Sequence, residues 1–263
     1  LIEGAINGML ESLDDEHTMY FDKKSKEEFD SELSGNYYGI GAQIQLTSDE
    51  TIKITKVFDD SPAKKAGLKE EDVFVSVDGT SVKGKSATEV ANMLKSDSVK
   101  TSTIVVKRND KELTFKVTKE NITLFSVSSE MLDNNGKNVG YLSVSIFGQK
   151  TYSQFKDALT KLEKQDMDSL IIDLRGNTGG YLSTVTNMLE EFIDKGNVIY
   201  QIQSSSGVKQ YKTVKASDKK YKIVVLIDGG SASASEIMSA AMKEVYGATL
   251  VGQTTYGKGT VQT

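Results

Sequence analysis

LIDGGSASASEIMSAAM, residues 226–242, passes from an apolar run through a loop of small residues into a run with helical spacing. An earlier stretch, LIIDLRGNTGG at 170–180, also joins an apolar run to a glycine-rich loop, and a helix is predicted after it. Apolar strands that end in such loops and lead into helices are typical of α/β sheets, whose functional groups gather where the strands end. We therefore predict an α/β core over residues 120–263.

The part of the chain before this core has shorter strands and tight turns. Alternating apolar and polar residues predict strands, and the dipeptide Asn109-Asp110 between two such runs predicts a hairpin. The other predicted elements are strands at 38–46, 51–58 and 71–79, a helical turn at 61–68 and a helix at 86–96. Together they predict a compact β-rich domain over residues 36–119.

Residues 1–35 are predicted to form an N-terminal helical segment with one apolar face. The residues spaced for that face are Ile2, Ile6, Met9, Leu10 and Leu13. Asp14, Asp15 and Glu16 are interpreted as the end of the first helix, and a second short helix is predicted near 25–33. The apolar face could mediate a homodimer, or it could cover a core.

Composition limits the chemistry that is available. The 263 residues contain no Cys, which excludes thiol catalysis, Cys-ligated metals and disulfides. The net charge is −5 and the basic residues form no dense cluster, so no nucleic-acid partner is expected. No metal site is predicted and no cofactor is expected. The only histidine, His17, lies far in sequence from the small-residue loop.

The small-residue loop before the predicted helix offers a nucleophile. A helix N-terminus presents unpaired N–H groups, so a serine placed there can attack a carbonyl while neighbouring amides hold the oxyanion. The residues alone leave Ser231, Ser233 and Ser235 open, as well as an interpretation in which they only cap the helix. Lys258, flanked by two glycines, is a candidate base, since desolvation or nearby cationic groups can lower the pKa of a lysine towards neutrality and leave its amine uncharged.

Three core motifs resemble, in this order, those of the C-terminal processing (tail-specific) peptidases, a family of Ser-Lys serine endopeptidases. The motifs are LIIDLRGNTGG at 170–180, DGGSASASEI at 228–237 and GKGTVQ at 257–262. YYGIGAQI at 37–44, SPAKKAGL at 61–68 and LESLDDEHT at 10–18 resemble the family's PDZ domain and the segment before it. The resemblance implies a multi-domain α/β protein with a helical segment, a PDZ domain and a crotonase-like catalytic core that is truncated at its C-terminal end.

The resemblance also implies roles for individual residues of the core. Ser233 is the expected nucleophile, Lys258, 25 positions later, its base, and Gln262 the residue that orients the lysine amine. This arrangement would cleave a peptide bond through an acyl-enzyme without a cofactor. Asp173 and Arg175 are interpreted as a structural pair.

The expected oxyanion-hole donors are the backbone N–H groups of Ala234 and Gly179. Gly180 is the alternative donor, and the glycine loop could also be no more than a tight turn between a strand and a helix. Relatives often have proline where this chain has Thr178. We expect that change to loosen the loop without abolishing activity.

A second site is expected in the PDZ-like domain, where successive backbone amides can form a nest for a terminal carboxylate. An extended peptide would add to the strand that follows the nest and lie opposite the helix at 87–95. The residues expected to contact the peptide are Gly39, Ile40, Gly41 and Ala42 in the loop and strand, and Val90 and Leu94 on the helix.

The resulting expectation is an endopeptidase that binds protein substrates by small or apolar C-terminal tails. The family and the lack of cysteine favour an extracytoplasmic location, with an anchor or signal in the full-length protein. The alternative is a catalytically inert peptide-binding protein, because core strands expected after residue 263 could be needed to shelter Lys258. Acyl-CoA chemistry on a crotonase-like core is a third interpretation, but it explains neither the PDZ-like domain nor Lys258.

Overall fold

A computed structural model describes residues 2–13, 18, 20–95 and 99–261 of the chain. The predictions that concern Asp14, Asp15, Glu16, His17 and Gln262 therefore lie outside the described residues. The chain divides into two compact units, one of which is Asn36–Leu124. The other unit contains the segments on both sides of it.

The N-terminal segment contains two helices. They are α1 (Ile2–Glu11) and α2 (Lys23–Ser34). The N–H of Gln149 donates to the carbonyl of Leu33 at 2.8 Å, so the end of α2 lies against the core of the same unit. On α1, Ile2 and Met9 are 80% and 63% exposed, so the predicted apolar face is not covered at these positions.

The unit Asn36–Leu124 contains a six-stranded sheet, a two-stranded ribbon and two helices. Its elements are β1 (Asn36–Gly39), β2 (Ala42–Leu46), β3 (Ile52–Val57), α3 (Pro62–Ala66), β4 (Val73–Val77), β5 (Thr80–Ser81), α4 (Ala87–Lys95), β6 (Thr101–Arg108), β7 (Lys111–Thr118) and β8 (Glu120–Thr123). The sheet order is β2-β3-β4-β6-β7, with β5 on β4, and β1 pairs with β8.

Local sequence explains the turns of this unit. Asn109 and Asp110 both have positive φ, 49° and 60°, which is the conformation that a two-residue hairpin loop requires. Helix α3 begins with the side chain of Ser61, which accepts the N–H of Lys64 at 3.2 Å, and it ends at Gly67 with φ 92°.

The end of this unit lies a few residues beyond the sequence prediction. Strand β8 pairs with β1 in antiparallel register, with Asn36 opposite Thr123 and Gly39 opposite Glu120. The boundary therefore falls after Leu124, because residues 120–123 complete a ribbon with the first strand of the unit.

The core of the other unit is a five-stranded sheet with helices. Its elements are β9 (Val127–Asn134), β10 (Lys137–Val144), α5 (Thr151–Glu163), β11 (Ser169–Asp173), α6 (Leu182–Leu189), β12 (Val198–Ser204), β13 (Gly207–Lys212), β14 (Lys222–Ile227), α7 (Ala234–Ala241), a π-helical turn (Met242–Tyr246) and β15 (Thr249–Gly252). The sheet order is β15-β14-β11-β10-β9, in which only β9 is antiparallel to its neighbour. A mixed α/β core is therefore present, with β11 and β14 adjacent at its centre.

Several features of this core did not follow from the sequence. Strand β9 was not predicted, because it lies at the sheet edge and five of its eight residues are exposed. Strand β12 pairs with β13, another unpredicted strand, in a separate hairpin and not with the sheet. The last helix passes from α7 into a π-helical turn that ends at Gly247 with φ 88°.

Candidate active site

The loop between β14 and α7 holds Ser233 in an uncommon backbone conformation. Ser233 immediately precedes the first residue of α7 and has φ 55° and ψ −113°. The backbone of a non-glycine residue with positive φ is strained. Such strain is frequent where a nucleophile is held at a sharp turn between a strand and a helix. Ser233 is also half-buried, which leaves its hydroxyl accessible.

The three serines of this loop have different surroundings. The Ser231 hydroxyl is buried and donates to the carbonyl of Leu174 at 2.8 Å. The Ser235 hydroxyl is buried and donates to the carbonyl of Asn177 at 2.7 Å. The Ser233 hydroxyl donates to no carbonyl within the described ranges. The hydroxyls of Ser231 and Ser235 therefore join this loop to the residues after β11, whereas the Ser233 side chain lies at the start of its own helix in a capping box.

Asn177 joins the glycine loop after β11 to the serine loop. Its side-chain amide is buried and donates to the carbonyl of Val144 at 2.8 Å. Its backbone carbonyl accepts the N–H of Ala232 at 3.0 Å, in addition to the Ser235 hydroxyl. The two loops that follow the adjacent strands β11 and β14 are thus held together by one buried residue.

Gly179 lies directly against Ser233. A methyl group added at Gly179 would lie 2.8 Å from Ser233 Cβ and 3.1 Å from the backbone nitrogen of Ala234. The N–H of Gly179, however, already donates to Asn177 Oδ1 at 2.9 Å. Gly179 therefore provides the close approach, but its N–H is not free to act as an oxyanion donor in this conformation.

Gly180 and Ala234 present the available amides. Gly180 forms a parallel bridge with Phe147, in which the N–H of Phe147 donates to Gly179 and that of Tyr181 donates to Phe147. The N–H of Gly180 then points away from Phe147. This N–H group has no acceptor in the described part of the chain. Ala234 is the first residue of α7, where a helix leaves its N–H groups unpaired. The N–H of Gly180, and not that of Gly179, is thus available beside that of Ala234 for an oxyanion.

Asp228 holds the base of both loops. Its carboxylate accepts the N–H groups of Gly176 and Gly230, each at 2.9 Å. The hydrogen bond from Gly176, together with those from Gly230 and Ser231, lowers the pKa of Asp228 below its ordinary value. The carboxylate is therefore a fixed anchor between the ends of β11 and β14.

The Asp173–Arg175 pair forms as an ion pair beside the loop. Arg175 Nη2 lies 2.6 Å from Asp173 Oδ2, and the hydroxyl of Tyr141 donates to the same oxygen at 2.6 Å. Burial acts to raise the pKa of Asp173, but the hydrogen bonds from Arg175 and Tyr141 outweigh it, so the pKa lies below its ordinary value.

Glu236 links Ser233 to the loop that carries Lys258. Glu236 Oε2 accepts the backbone N–H of Ser233 at 2.8 Å and that of Lys258 at 2.9 Å. Glu236 Oε1 accepts the N–H of Gly257 at 2.7 Å and the hydroxyl of Thr255 at 2.9 Å. One oxygen atom is therefore shared by the backbones of Ser233 and Lys258, which places the two residues side by side.

The side chains of Ser233 and Lys258 are not joined by a hydrogen bond in the described residues. Lys258 is half-buried, and its backbone is fixed through Glu236. A lysine side chain has four rotatable bonds, so its amine can change direction while the backbone stays in place. Gln262, the expected third member, lies outside the described residues.

The expected nest for a terminal carboxylate lies in the unit Asn36–Leu124. The carbonyl of Ile40 accepts the N–H of Ala63 at 2.8 Å, and that of Gly41 accepts the N–H of Phe58 at 3.0 Å. Gly41 has φ 77°, and a methyl group there would collide with Ser61 Cβ. The carbonyls of Ile40 and Gly41 thus already accept hydrogen bonds within the domain. Position 41 has no room for a side chain, so glycine is required there.

The two helix residues expected to contact the peptide are buried. Val90 and Leu94 of α4 are 0% and 4% exposed and belong to the hydrophobic core of this unit. Helix α4 contacts both β1 and β2. In this conformation, Val90 and Leu94 therefore stabilise the domain and do not line an open groove.

Sequence reasoning missed the residues that hold the site together. Asn177, Asp228 and Glu236 each accept or donate hydrogen bonds between two loops. Only Glu236 had a signal in the sequence, because a glutamate three positions after a serine at a helix start is typical of a capping box. The contacts of Asn177 and Asp228 depend on the adjacency of β11 and β14.

Within the described ranges, no helix combines the length and apolar character needed to cross a membrane. Across those same residues, no group of three or more His, Cys, Asp or Glu side chains is suited to a metal ion.

Known proteins resemble the chain along its whole length. Carboxy-terminal processing protease CtpB from Bacillus subtilis is 38% identical over 265 residues, which cover 100% of this chain and 55% of that protein. CtpA from the same organism is 37% identical over 268 residues, which cover 100% of this chain and 56% of that protein. The solved structure of photosystem II D1 C-terminal processing protease is 28% identical with a TM-score of 0.55, covering 99% of this chain and 72% of that one. The chain spans about half the length of the curated relatives it matches.

Two family models match the two compact units. Residues 38–118 match the model of the PDZ domain, and residues 138–263 match the model of peptidase family S41. The first match lies within Asn36–Leu124, and the second contains both Ser233 and Lys258. Residues 138–263 are therefore similar to peptidase family S41 and residues 38–118 to the PDZ domain, and the whole chain is similar to proteins named carboxy-terminal processing proteases.

Proposed function

We propose that this chain is the catalytic part of a serine endopeptidase in which Ser233 is the nucleophile and Lys258 the general base. The observation that carries the proposal is the strained backbone of Ser233 at the start of α7, together with a hydroxyl that donates to no carbonyl of the described residues. The hydroxyls of Ser231 and Ser235 do donate to carbonyls. The shared contact with Glu236, which holds the Lys258 backbone beside Ser233, supports lysine as the base.

The chemistry proceeds in two stages. The uncharged amine of Lys258 takes the proton of the Ser233 hydroxyl, and the serine oxygen attacks the scissile carbonyl to form a tetrahedral intermediate. The N–H groups of Ala234 and Gly180 donate to the oxyanion. The protonated amine then donates its proton to the leaving nitrogen, which gives an acyl-enzyme and releases one peptide. Water, deprotonated by the same amine, hydrolyses the ester and restores Ser233.

Gln262 is proposed to orient the Lys258 amine through its side-chain amide. The support is its position four residues after the lysine, as in the family motif. An amide oxygen that accepts a hydrogen bond from the amine would direct its lone pair towards the serine. Gln262→Ala is expected to lower kcat less than Lys258→Ala does, because the base itself remains.

The PDZ domain is proposed to bind substrates by C-terminal tails that end in small or apolar residues. The support is the loop 39–42, in which glycine is required at Gly41 and the carbonyls are already bonded to α3 and to the end of β3. The loop amides are the donors proposed for a terminal carboxylate, and an extended tail can pair with β2.

Cleavage of an unfolded protein with an apolar tail tests the catalytic proposal. Wild-type protein is compared with Ser233→Ala and Lys258→Ala, and with the matched controls Ser206→Ala and Lys243→Ala at exposed positions. We expect the rate of cleavage to fall by at least about a thousandfold in Ser233→Ala and Lys258→Ala. The two control variants should cleave at the wild-type rate. Equal cleavage by all five proteins would reject Ser233 and Lys258 as the catalytic pair.

The alternative function is that of an inert tail-binding protein. It is favoured by one observation, the lack of a hydrogen bond between Ser233 and Lys258 within the described part of the chain. An intact protein that binds a tail peptide but cleaves no substrate would establish this alternative. Cleavage that depends on both residues would exclude it.

Location and assembly are also proposed. The lack of cysteine and the relatives support an extracytoplasmic location, which a fractionation experiment with tagged full-length protein can test. The exposed Ile2 and Met9 on α1 support a homodimer through the N-terminal helices. Replacing both with Glu is expected to convert the dimer to a monomer in light scattering, whereas an unchanged mass would exclude this interface.

A further inference from the structure

The tail-binding loop of the PDZ domain is occupied by a side chain of the same domain. Burial raises the pKa of the Tyr37 hydroxyl, and the backbone N–H groups of Gly41 and Ala42, which face it as hydrogen-bond donors, oppose that shift. Its ring lies across Gly39, since a methyl group on Gly39 would be 2.6 Å from Tyr37 Cε2. Tyr37 therefore fills the space in front of the amides that a terminal carboxylate would use.

The surroundings hold Tyr37 in this place. Strand β1 fixes its backbone by pairing with β8, where Tyr37 lies opposite Ile122. The Lys95 amine, at the end of α4, lies 5.7 Å from the centre of the Tyr37 ring. Burial raises the pKa of Tyr37 despite the two amide hydrogen bonds, so the phenol is neutral at ordinary pH.

We propose that Tyr37 is an internal substitute for the tail carboxylate, and that a tail binds only when its carboxylate displaces the Tyr37 hydroxyl. This inference rests on the proposed binding of tails by the PDZ domain. A carboxylate carries a full charge and forms stronger hydrogen bonds to amides than a phenol oxygen does. The same nest is close to Lys95, whose charge favours an incoming anion over a neutral group.

Displacement has a consequence for selectivity. A tail that ends in an amide offers no charged oxygen, so it cannot compete with Tyr37 for Gly41 and Ala42. A tail with a free carboxylate can compete, although it loses part of its binding energy in doing so. Tyr37 thereby sharpens the distinction between a true chain end and an internal segment, because internal segments must also displace it.

The test measures binding of two fluorescent decapeptides that end in Ser-Val-Ala, one with a free carboxylate and one amidated. The proteins are the intact chain, Tyr37→Phe and the matched control Tyr38→Phe, each with Ser233→Ala to prevent cleavage. In Tyr37→Phe the ring remains but the amides of Gly41 and Ala42 lose their internal acceptor. We expect the Kd of the free-carboxylate peptide to fall at least about fivefold, with no change for the amidated peptide or for Tyr38→Phe.

The outcomes separate this inference from the function on which it rests. If the wild-type protein and Tyr37→Phe bind the free-carboxylate peptide equally, or the variant binds more weakly, Tyr37 does not compete with the tail and the inference fails. An equal gain for both peptides would also overturn it, because that result indicates general loosening. If no protein binds the free-carboxylate peptide, the proposed tail binding fails as well. Tyr37→Ala provides a second variant if Tyr37→Phe is poorly folded.

Discussion

Replacing Glu236 with Gln tests whether the link between the Ser233 turn and the Lys258 loop is needed for catalysis. The carboxylate accepts four hydrogen bonds, two on each oxygen. Glutamine has the same shape but only one acceptor oxygen. If that oxygen keeps the N–H groups of Ser233 and Lys258, the new NH₂ group faces Thr255 and Gly257. The Thr255 hydroxyl can rotate and accept, but the N–H of Gly257 then has no acceptor.

The magnitude follows from these four contacts. An unpaired amide costs about 1–3 kcal/mol, and each bond that loses its charged acceptor weakens by roughly 1 kcal/mol. Glu236 is half-buried, so water offsets part of this loss. We expect about 2 kcal/mol to fall on the geometry of the reacting groups, which corresponds to roughly a thirtyfold decrease in kcat/KM.

The assay is hydrolysis of an internally quenched peptide, with kcat and KM determined separately. The decrease should appear in kcat, because Glu236 accepts hydrogen bonds from the backbones of Ser233 and Lys258, the two residues proposed to react. Glu244→Gln, at an exposed position of the π-helical turn, is the matched control and should keep wild-type rates. A Glu236→Gln protein with kcat within about threefold of wild type, at unchanged thermal stability, would refute the reasoning.

Three further predictions concern stability and the glycine loop. Asp72→Asn should destabilise the PDZ domain by roughly 3 kcal/mol in urea unfolding, because buried Asp72 is paired with Arg108 at 2.6 Å; a loss below about 1 kcal/mol would contradict the pairing. Gly179→Ala should abolish peptide cleavage, since the added methyl group would lie 2.8 Å from Ser233 Cβ at a φ of 112°; full activity would be inconsistent with this close approach. The pKa of Asp173 is lowered in the folded protein, so its stabilising effect is complete above its unfolded pKa of about 3.9. The effect is lost as the pH falls towards the folded pKa. Asp173→Asn should therefore make the melting temperature less sensitive to acid. Identical acid profiles of wild type and variant would contradict it.

The sequence predicted the elements whose pattern is local. The hairpin at Asn109-Asp110 followed from turn chemistry, and the strands β11 and β14 followed from apolar runs that end at glycine-rich loops. The PDZ domain and the peptidase core followed from motifs and are both matched by family models. These features depend on residues that are near one another along the chain.

The features that were missed depend on long-range contacts. Asn177 gains its role only because β11 and β14 are neighbours in the sheet. The N–H of Gly179 is taken by the Asn177 side chain, which residue order cannot reveal. Val90 and Leu94 have the spacing of a binding face, but the packing of α4 buries them in the domain core. Periodicity shows that a face is apolar and does not show what covers it.

Identification of the acylated residue tests the central claim most directly. The intact protein is allowed to react with an activated peptide ester, the reaction is stopped in acid, and the modified residue is located by peptide mapping and mass spectrometry. The account predicts one acyl group on Ser233, its absence in Ser233→Ala, and acylation slowed by at least about a hundredfold in Lys258→Ala. An acyl group on Ser231 or Ser235, or acylation at the same rate without Lys258, would contradict it.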